Sequence, residues 1–314
     1  MIVDVHGHIS PPESLRRFPM PPSLGDVEGM VERKLAAGID LTLVGSPVGA
    51  GAMVPVPGVD NYAQGTDALR AFHDWLASRV TAFPEHLRAL VYANPFGGTE
   101  HLGAAAQTYV DGGFVGFVVN TSVAGRYLDD PAAEEFFAMA AELDAPVLLH
   151  APAQPAAGTG LADFRHIEQL GRFCDVTIGV ACLVLGGVLE RHPGLRLVAT
   201  AAGGALALLA EKLDLVHRPP HWAAPGGPPT RPLPLSAPPS AYLRRIWVDT
   251  SSPSPVALAA NLATFGADRL LLGTDSPPLV GMEVPVLSAI GALAVDDDER
   301  AAILGGTAAE LFGL

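Results

Sequence analysis

Cysteine is scarce in this chain: Cys174 and Cys182 are the only two among 314 residues. They stand eight apart in an apolar stretch, too few for a disulfide framework or a zinc knuckle, and read as small buried hydrophobes. Basic residues are scarce too. Lys and Arg total 19 against 33 Asp and Glu, a net charge of −14. With no basic cluster anywhere, nucleic acid and anionic membrane surfaces are excluded as expected partners. No run of about 18 apolar residues offers a membrane span. The first apolar run begins at Ile2 and leaves no room ahead of it for a signal segment, so the expected address is the cytoplasm. Gly-x-Ser-x-Gly is absent, and no serine ends a strand beside a histidine, which removes acyl transfer through a serine nucleophile. No Gly-rich phosphate loop follows the first apolar run.

What is present is core material and a regular rhythm. Hydrophobic residues make up 49% of the chain and charged residues 17%. Eight apolar, strand-like runs recur: "IVDVH" near the start, then 39–47, 87–95, 114–120, 145–152, 195–201, 245–251 and 268–277. Helical periodicity fills 27–38, 68–80, 131–143, 203–216 and 254–266, and Gly38, Gly113 and Asp144 are placed to close helices before the next strand. Near-continuous apolar strands alternating with helices imply a parallel sheet covered by helices. A count of eight favours a closed (β/α)8 TIM barrel, one domain over residues 1–314, above an open doubly wound sheet. One stretch breaks the rhythm: nine prolines lie between Pro219 and Pro239, a loop after the sixth strand that suits a lid or a dimer contact.

The opening "MIVDVHGHIS" sets two histidines at the end of the first strand. Residues two apart on a strand share a face, so Asp4, His6 and His8 are expected to project together. A satisfied core histidine beside an exposed loop histidine is the alternative. Barrel chemistry sits at the C-terminal ends of the strands, and the other ends decide between the two. Asn94 and Asn120 end the third and fourth strands, His150 the fifth and Asp275 the eighth, with Asp249 inside the seventh. His6, His8, His150 and Asp275 therefore converge at one mouth, and three imidazoles with one carboxylate suit a zinc-like divalent ion with an open water position. The remaining histidines (His73, His86, His101, His166, His192, His217) sit mostly in helical or surface contexts and read as solvated.

Asp-x-His-x-His on strand 1, a histidine after strand 5 and Asp275 in "GTDSP" resemble the amidohydrolase superfamily. "LERHPGLRLV", "FGADRLLLGTDSP" and "AAELFGL" are similar to its branch containing aminocarboxymuconate-semialdehyde decarboxylase and γ-resorcylate decarboxylase. The resemblance implies one divalent ion, Zn2+ or alternatively Mn2+, held by His6, His8, His150 and Asp275, with Asp275 also carrying a proton. It implies a homodimer as well. The departure is at strand 6, where the family has His-x-Gly-Gly and this chain reads "ATAAGGAL", with Ala201 in the histidine's place. A general acid or base contributes roughly 10²–10⁴-fold, so another group must substitute. His221 in the proline-rich loop is the candidate, a solvent-exposed loop histidine being its alternative. Thr307, where the family often has Asn, starts a helix it can itself cap.

The leading expectation is a metal-dependent decarboxylase, lyase or hydrolase acting on a small carboxylic acid or related carbonyl compound. A metal-assisted isomerase or cyclase of secondary metabolism, and a ligand-binding relative without catalysis, are the alternatives. Tyr62, Phe96, Phe117, Trp222 and Trp247 are candidate pocket aromatics with core positions as the alternative. Arg126 and Arg165 are candidates for neutralising a substrate carboxylate, with surface positions as the alternative.

Overall fold

A computed structural model describes residues 1–217, 233–252 and 254–314. Eight strands form one parallel sheet in chain order: β1 (Val3–His8), β2 (Leu41–Gly45), β3 (Leu87–Tyr92), β4 (Gly116–Asn120), β5 (Val147–His150), β6 (Leu197–Ala199), β7 (Trp247–Asp249) and β8 (Leu270–Leu271). Two backbone hydrogen bonds close the seam between the last strand's end and the first. Val5 donates to the Leu272 carbonyl at 2.9 Å, and Asp275 donates to the His6 carbonyl at 2.9 Å. The sheet is thus a barrel, as the eight apolar runs predict. Every residue of β1, β2, β4, β5 and β6 is buried, which is why these strands read as continuous apolar runs instead of alternating ones.

Helices at Val27–Ala36, Thr66–Ala82, Glu134–Glu142, Leu206–Asp214 and Pro255–Phe265 match the periodic segments within a few residues. Their ends are chemically marked. Asp26 accepts the Gly29 N–H at 3.1 Å, and Ser254 accepts the Ala257 N–H at 3.3 Å, each satisfying a donor the first turn leaves over. Gly113 (φ 67°) and Asp144 (φ 48°) supply the left-handed residue that turns the chain back toward the next strand. One core cluster runs from Val3 to Phe312, joining strands to the helical layer.

Four expectations need correction. The eighth strand, expected to reach 277, keeps only Leu270–Leu271, because Leu272 N–H turns to Ile303 O at 3.0 Å and Asp275 is left-handed. Cys174 is exposed and Cys182 half-buried, so neither is a fully buried hydrophobe. His73 lies on a helix as expected but is not solvated: it is 4% exposed, and its Nε2 accepts the Tyr92 N–H at 3.0 Å, using the ring to satisfy β3. Asp4 does not share the face of His6 and His8. The β1–β2 register shifts between Asp4 and Gly7, and this bulge sends the Asp4 carboxylate to Lys34 and Thr274. Among the described residues, no helix is long and apolar enough to cross a membrane.

Candidate metal centre and its cavity

β1, β5 and the turn after β8 bring His6, His8, His150 and Asp275 together, with one ligand atom from each lying within 4.8 Å of the others. His8 Nε2 is 3.0 Å from His6 Nε2 and 3.0 Å from Asp275 Oδ1, and His6 Nε2 is 3.5 Å from the same oxygen. A tetrahedral ion with bonds near 2.0–2.1 Å sets its ligand atoms about 3.3 Å apart. The three rings stand nearly perpendicular, with centroids 4.9–5.0 Å apart.

The tautomers decide what this cluster can hold. His6 Nδ1 donates to Asp249 Oδ2 at 2.6 Å, His8 Nδ1 to the Gly45 carbonyl at 3.2 Å, and His150 Nδ1 to the Ala151 carbonyl at 2.7 Å. Each neutral ring therefore carries its lone pair on Nε2, the atom turned toward the cluster. Buried lone pairs facing one another beside a carboxylate are costly unless a cation sits among them. The donor set thus fits a divalent ion, with outer partners that fix each ring.

The electrostatics differ from ring to ring. Burial alone would lower the His6 pKa, but the carboxylates of Asp275 and Asp249 outweigh it and raise it. Burial lowers His150 well below the ordinary imidazole value, and the neighbouring His8 and His6 push it further down. Burial would raise Asp275, yet His6, His8 and His150 together hold its carboxyl far below the usual range. Asp275 sits at φ 56°, a left-handed conformation that costs a non-glycine residue about 1–2 kcal/mol. It is held there by a buried network next door. Thr274 donates its N–H to Asp4 Oδ1 at 3.0 Å and its hydroxyl to Asp4 Oδ2 at 2.7 Å, while Lys34 Nζ reaches both Asp4 and Thr274.

At the end of β6, Ala201 (φ 51°) and Ala202 (φ 53°) form a left-handed turn that continues through Gly203 and Gly204. Gly204 is required there, since a Cβ would meet Thr177 Oγ1 at 2.2 Å. Asp249 Oδ1 accepts the Ala202 N–H at 2.7 Å, and Ser251 Oγ accepts the Ala201 N–H at 3.0 Å. Asp249 therefore anchors both His6 and the Ala201–Ala202 turn. Sequence reasoning placed it inside a strand without a role; its position as the last residue of β7 was the available signal.

The cluster floors a cavity of about 380 Å³ that Ala201 also lines. Among the described residues, the aromatics on its wall are Phe164 and Phe173, and its arginine is Arg172. None of Tyr62, Phe96, Phe117 or Trp247 lines it; Phe117 is core. Arg126 pairs with Asp130 at 3.4 Å, and Arg165, 84% exposed, pairs with Asp163 at 2.5 Å, so neither faces the cavity. Arg172 and Glu168 were missed because their helix carries no sign of which face meets the barrel mouth. His221 and Trp222 lie outside the described residues.

With three imidazoles and a carboxylate at the strand ends of a (β/α)8 barrel, the chain belongs to the amidohydrolase family of the Amidohydro_2 type, whose model matches residues 3–314. A 2-amino-3-carboxymuconate-6-semialdehyde decarboxylase of Dictyostelium discoideum is 24% identical over 204 residues, covering 64% of this chain and 54% of that one. The match therefore spans about half of that relative. The fold is similar to that of the 5-carboxyvanillate decarboxylase of Sphingomonas paucimobilis, with a TM-score of 0.79 and 20% identity over 100% of this chain and 99% of that one. It is also similar to a dihydroxybenzoic acid decarboxylase of Polaromonas sp. JS666 with bound manganese and the inhibitor 2-nitroresorcinol. That match has a TM-score of 0.74 and 18% identity over 100% of this chain and 97% of that one.

Proposed function

We propose that the chain is a metal-dependent lyase of the decarboxylase type acting on a small, largely apolar carboxylic acid. The observation that carries this reading is the set of three Nε2 lone pairs, each fixed by an Nδ1 donation, meeting Asp275 at the floor of the cavity. The names of the relatives support the reaction type. His6, His8, His150 and Asp275 would hold the ion. Zinc suits imidazole best and manganese the carboxylate, and the Polaromonas relative carries manganese. When bound, the ion would supply Lewis acidity that stabilises developing negative charge on substrate oxygens.

The chain's own residues do the rest. Phe173 and Val176 present an apolar wall to the substrate body, with the 41% exposed Phe164 at its rim. Asp275 Oδ1 is the carboxylate oxygen of the cluster that would pass a proton on to the substrate, and the three imidazoles that hold it ionised make it a weak base that keeps a proton only in passing. Alanine at position 201 can neither donate nor accept one, so among the described cavity residues the proton that replaces CO2 at carbon, drawn from solvent, would have to pass through a carboxyl group, and Asp275 is the one in the cluster. That same substitution favours a second reading, an isomerisation or cyclisation that needs polarisation and one base.

The test is elemental analysis of protein purified without added metal, followed by CO2 release from a panel of hydroxybenzoates and unsaturated acids. About one ion per chain is expected, with none in the His6→Ala, His8→Ala double variant. Turnover should fall by about 10²-fold or more in Asp275→Asn. A chain that stays metal-free after reconstitution overturns the reading. Metal without CO2 release from any acid moves it to the second.

A further inference from the structure

A separate cavity of about 370 Å³ lies between the helices Thr66–Ala82 and Gly98–Gly112 on the flank of the barrel. Tyr92, the last residue of β3, and Phe114 line it from the sheet side, both buried. Each helix adds one histidine to the lining, and both rings spend the same atom on the backbone. His73 Nε2 accepts the Tyr92 N–H at 3.0 Å, and His101 Nε2 accepts the Asn94 N–H at 2.9 Å. A neutral ring that accepts through Nε2 carries its proton on Nδ1. Burial keeps both rings neutral, bringing the His73 pKa down to about 4 and His101 below the ordinary imidazole value. Each Nδ1–H is therefore a donor, and neither has a partner among the described residues. The Tyr92 hydroxyl is buried and has no partner either.

Three unspent donors around one cavity ask for acceptors, because an unserved buried donor costs free energy. The charges at the rim say which kind. Arg70, the one cation in the lining among the described residues, is paired with Asp67 at 3.3 Å, while Asp74 and Asp111 would repel an acid. Space is ample, since an apolar cavity of roughly 150 Å³ holds benzene. We propose that this cavity is a second binding site, for a small uncharged aromatic compound with acceptor oxygens on its ring. The ring would lie against Leu69, Ala105 and Phe114. Its oxygens would accept from His73, His101 and Tyr92, donors that no other group here uses.

Isothermal titration of zinc-loaded protein with 4-methoxyacetophenone, an uncharged ring with two acceptors and no donor, tests the proposal. One saturable event is expected, and Ala104→Phe, which fills the cavity from a half-buried position, should abolish it. Tyr92→Phe should weaken it roughly 3- to 10-fold, the scale of one uncharged hydrogen bond. Urea unfolding of the free Tyr92→Phe protein should match wild type, because the hydroxyl has no bond to lose. In protein carrying isotope-labelled histidine, the Nδ1–H magnetic-resonance signals of His73 and His101 should shift as the site fills, while those of His6, His8 and His150 stay in place. The charged analogue, 4-methoxybenzoate, should leave the His73 and His101 signals unmoved. No saturable binding, as for a cavity holding water alone, would overturn the proposal. So would binding that survives Ala104→Phe, binding that leaves the His73 and His101 signals unmoved, an unchanged affinity in Tyr92→Phe, or an equal response to the acid.

Discussion

Replacing Asp249 by Asn is the sharpest probe of the centre, because the exchange keeps size and removes one acceptor. Asp249 is fully buried and takes four donors: His6 Nδ1 at 2.6 Å on Oδ2, and Ala202 N at 2.7 Å, Ser251 N at 3.2 Å and Ser251 Oγ at 3.0 Å on Oδ1. A carboxylate only accepts, whereas an amide brings two donors of its own. If the amide NH2 faces His6, the ring must move its proton to Nε2 and lose the lone pair turned toward the cluster. Loss of such an outer partner costs roughly 10–100-fold in metal affinity, about 1.4–2.7 kcal/mol. If the amide flips, His6 is kept but the NH2 meets two backbone N–H groups, at about 1–3 kcal/mol of apo stability. Competition with a coloured chelator reads the first outcome, and urea unfolding of the metal-free protein reads the second. One of the two must move. A variant with affinity within about twofold of wild type and stability within about 0.3 kcal/mol would refute the assignment of Asp249 as the residue that sets the His6 tautomer.

Two further outcomes follow from buried charge. Lys34→Met leaves Asp4 without its cation, and unpairing a buried ion costs about 3–5 kcal/mol. The lower end is expected in urea unfolding, since Thr274 and the His6 N–H still donate to Asp4, and Asp4→Asn added to Lys34→Met should restore part of the loss. His73 has a folded pKa lowered to about 4, first by burial and then by His101. The unfolded ring binds its proton near pH 6.5 while the folded ring does not, so its contribution is whole above pH 6.5. It is lost as pH falls toward 4, to a limit of about 3 kcal/mol. His73→Gln, which keeps an acceptor near Tyr92 N–H, should flatten the stability profile over that window; an unchanged slope would contradict the assignment.

The barrel was legible because strands buried on both faces are spelled as unbroken apolar runs, and β1, β2, β4 and β5 are wholly buried. The four clustered side chains were legible because strand ends must gather at one mouth. Asp4 was misplaced because alternation assumes a regular strand, and nothing in "VDVHGH" announces the register shift that turns its carboxylate toward Lys34. Arg172, Glu168 and Asp249 escaped for a different reason. Their roles depend on which helix face meets the cavity and which ring a carboxylate reaches, distances no local pattern encodes.

The seam between the first and last strands has a consequence for how the molecule comes into being. Asp4 and Thr274, joined by two hydrogen bonds, stand 270 residues apart in the chain. The two clustered histidines of β1 come near the start of the chain, and Asp275 comes after all eight strands. No ion can be gripped by all four until the closing stroke of the barrel has been made. Bringing such distant segments together carries a loop-closure cost that grows only slowly with length, and an ion seated across the join would act as a clasp on the hoop. Loaded and empty protein should therefore differ most where the first and last staves meet, and least on the far side of the ring.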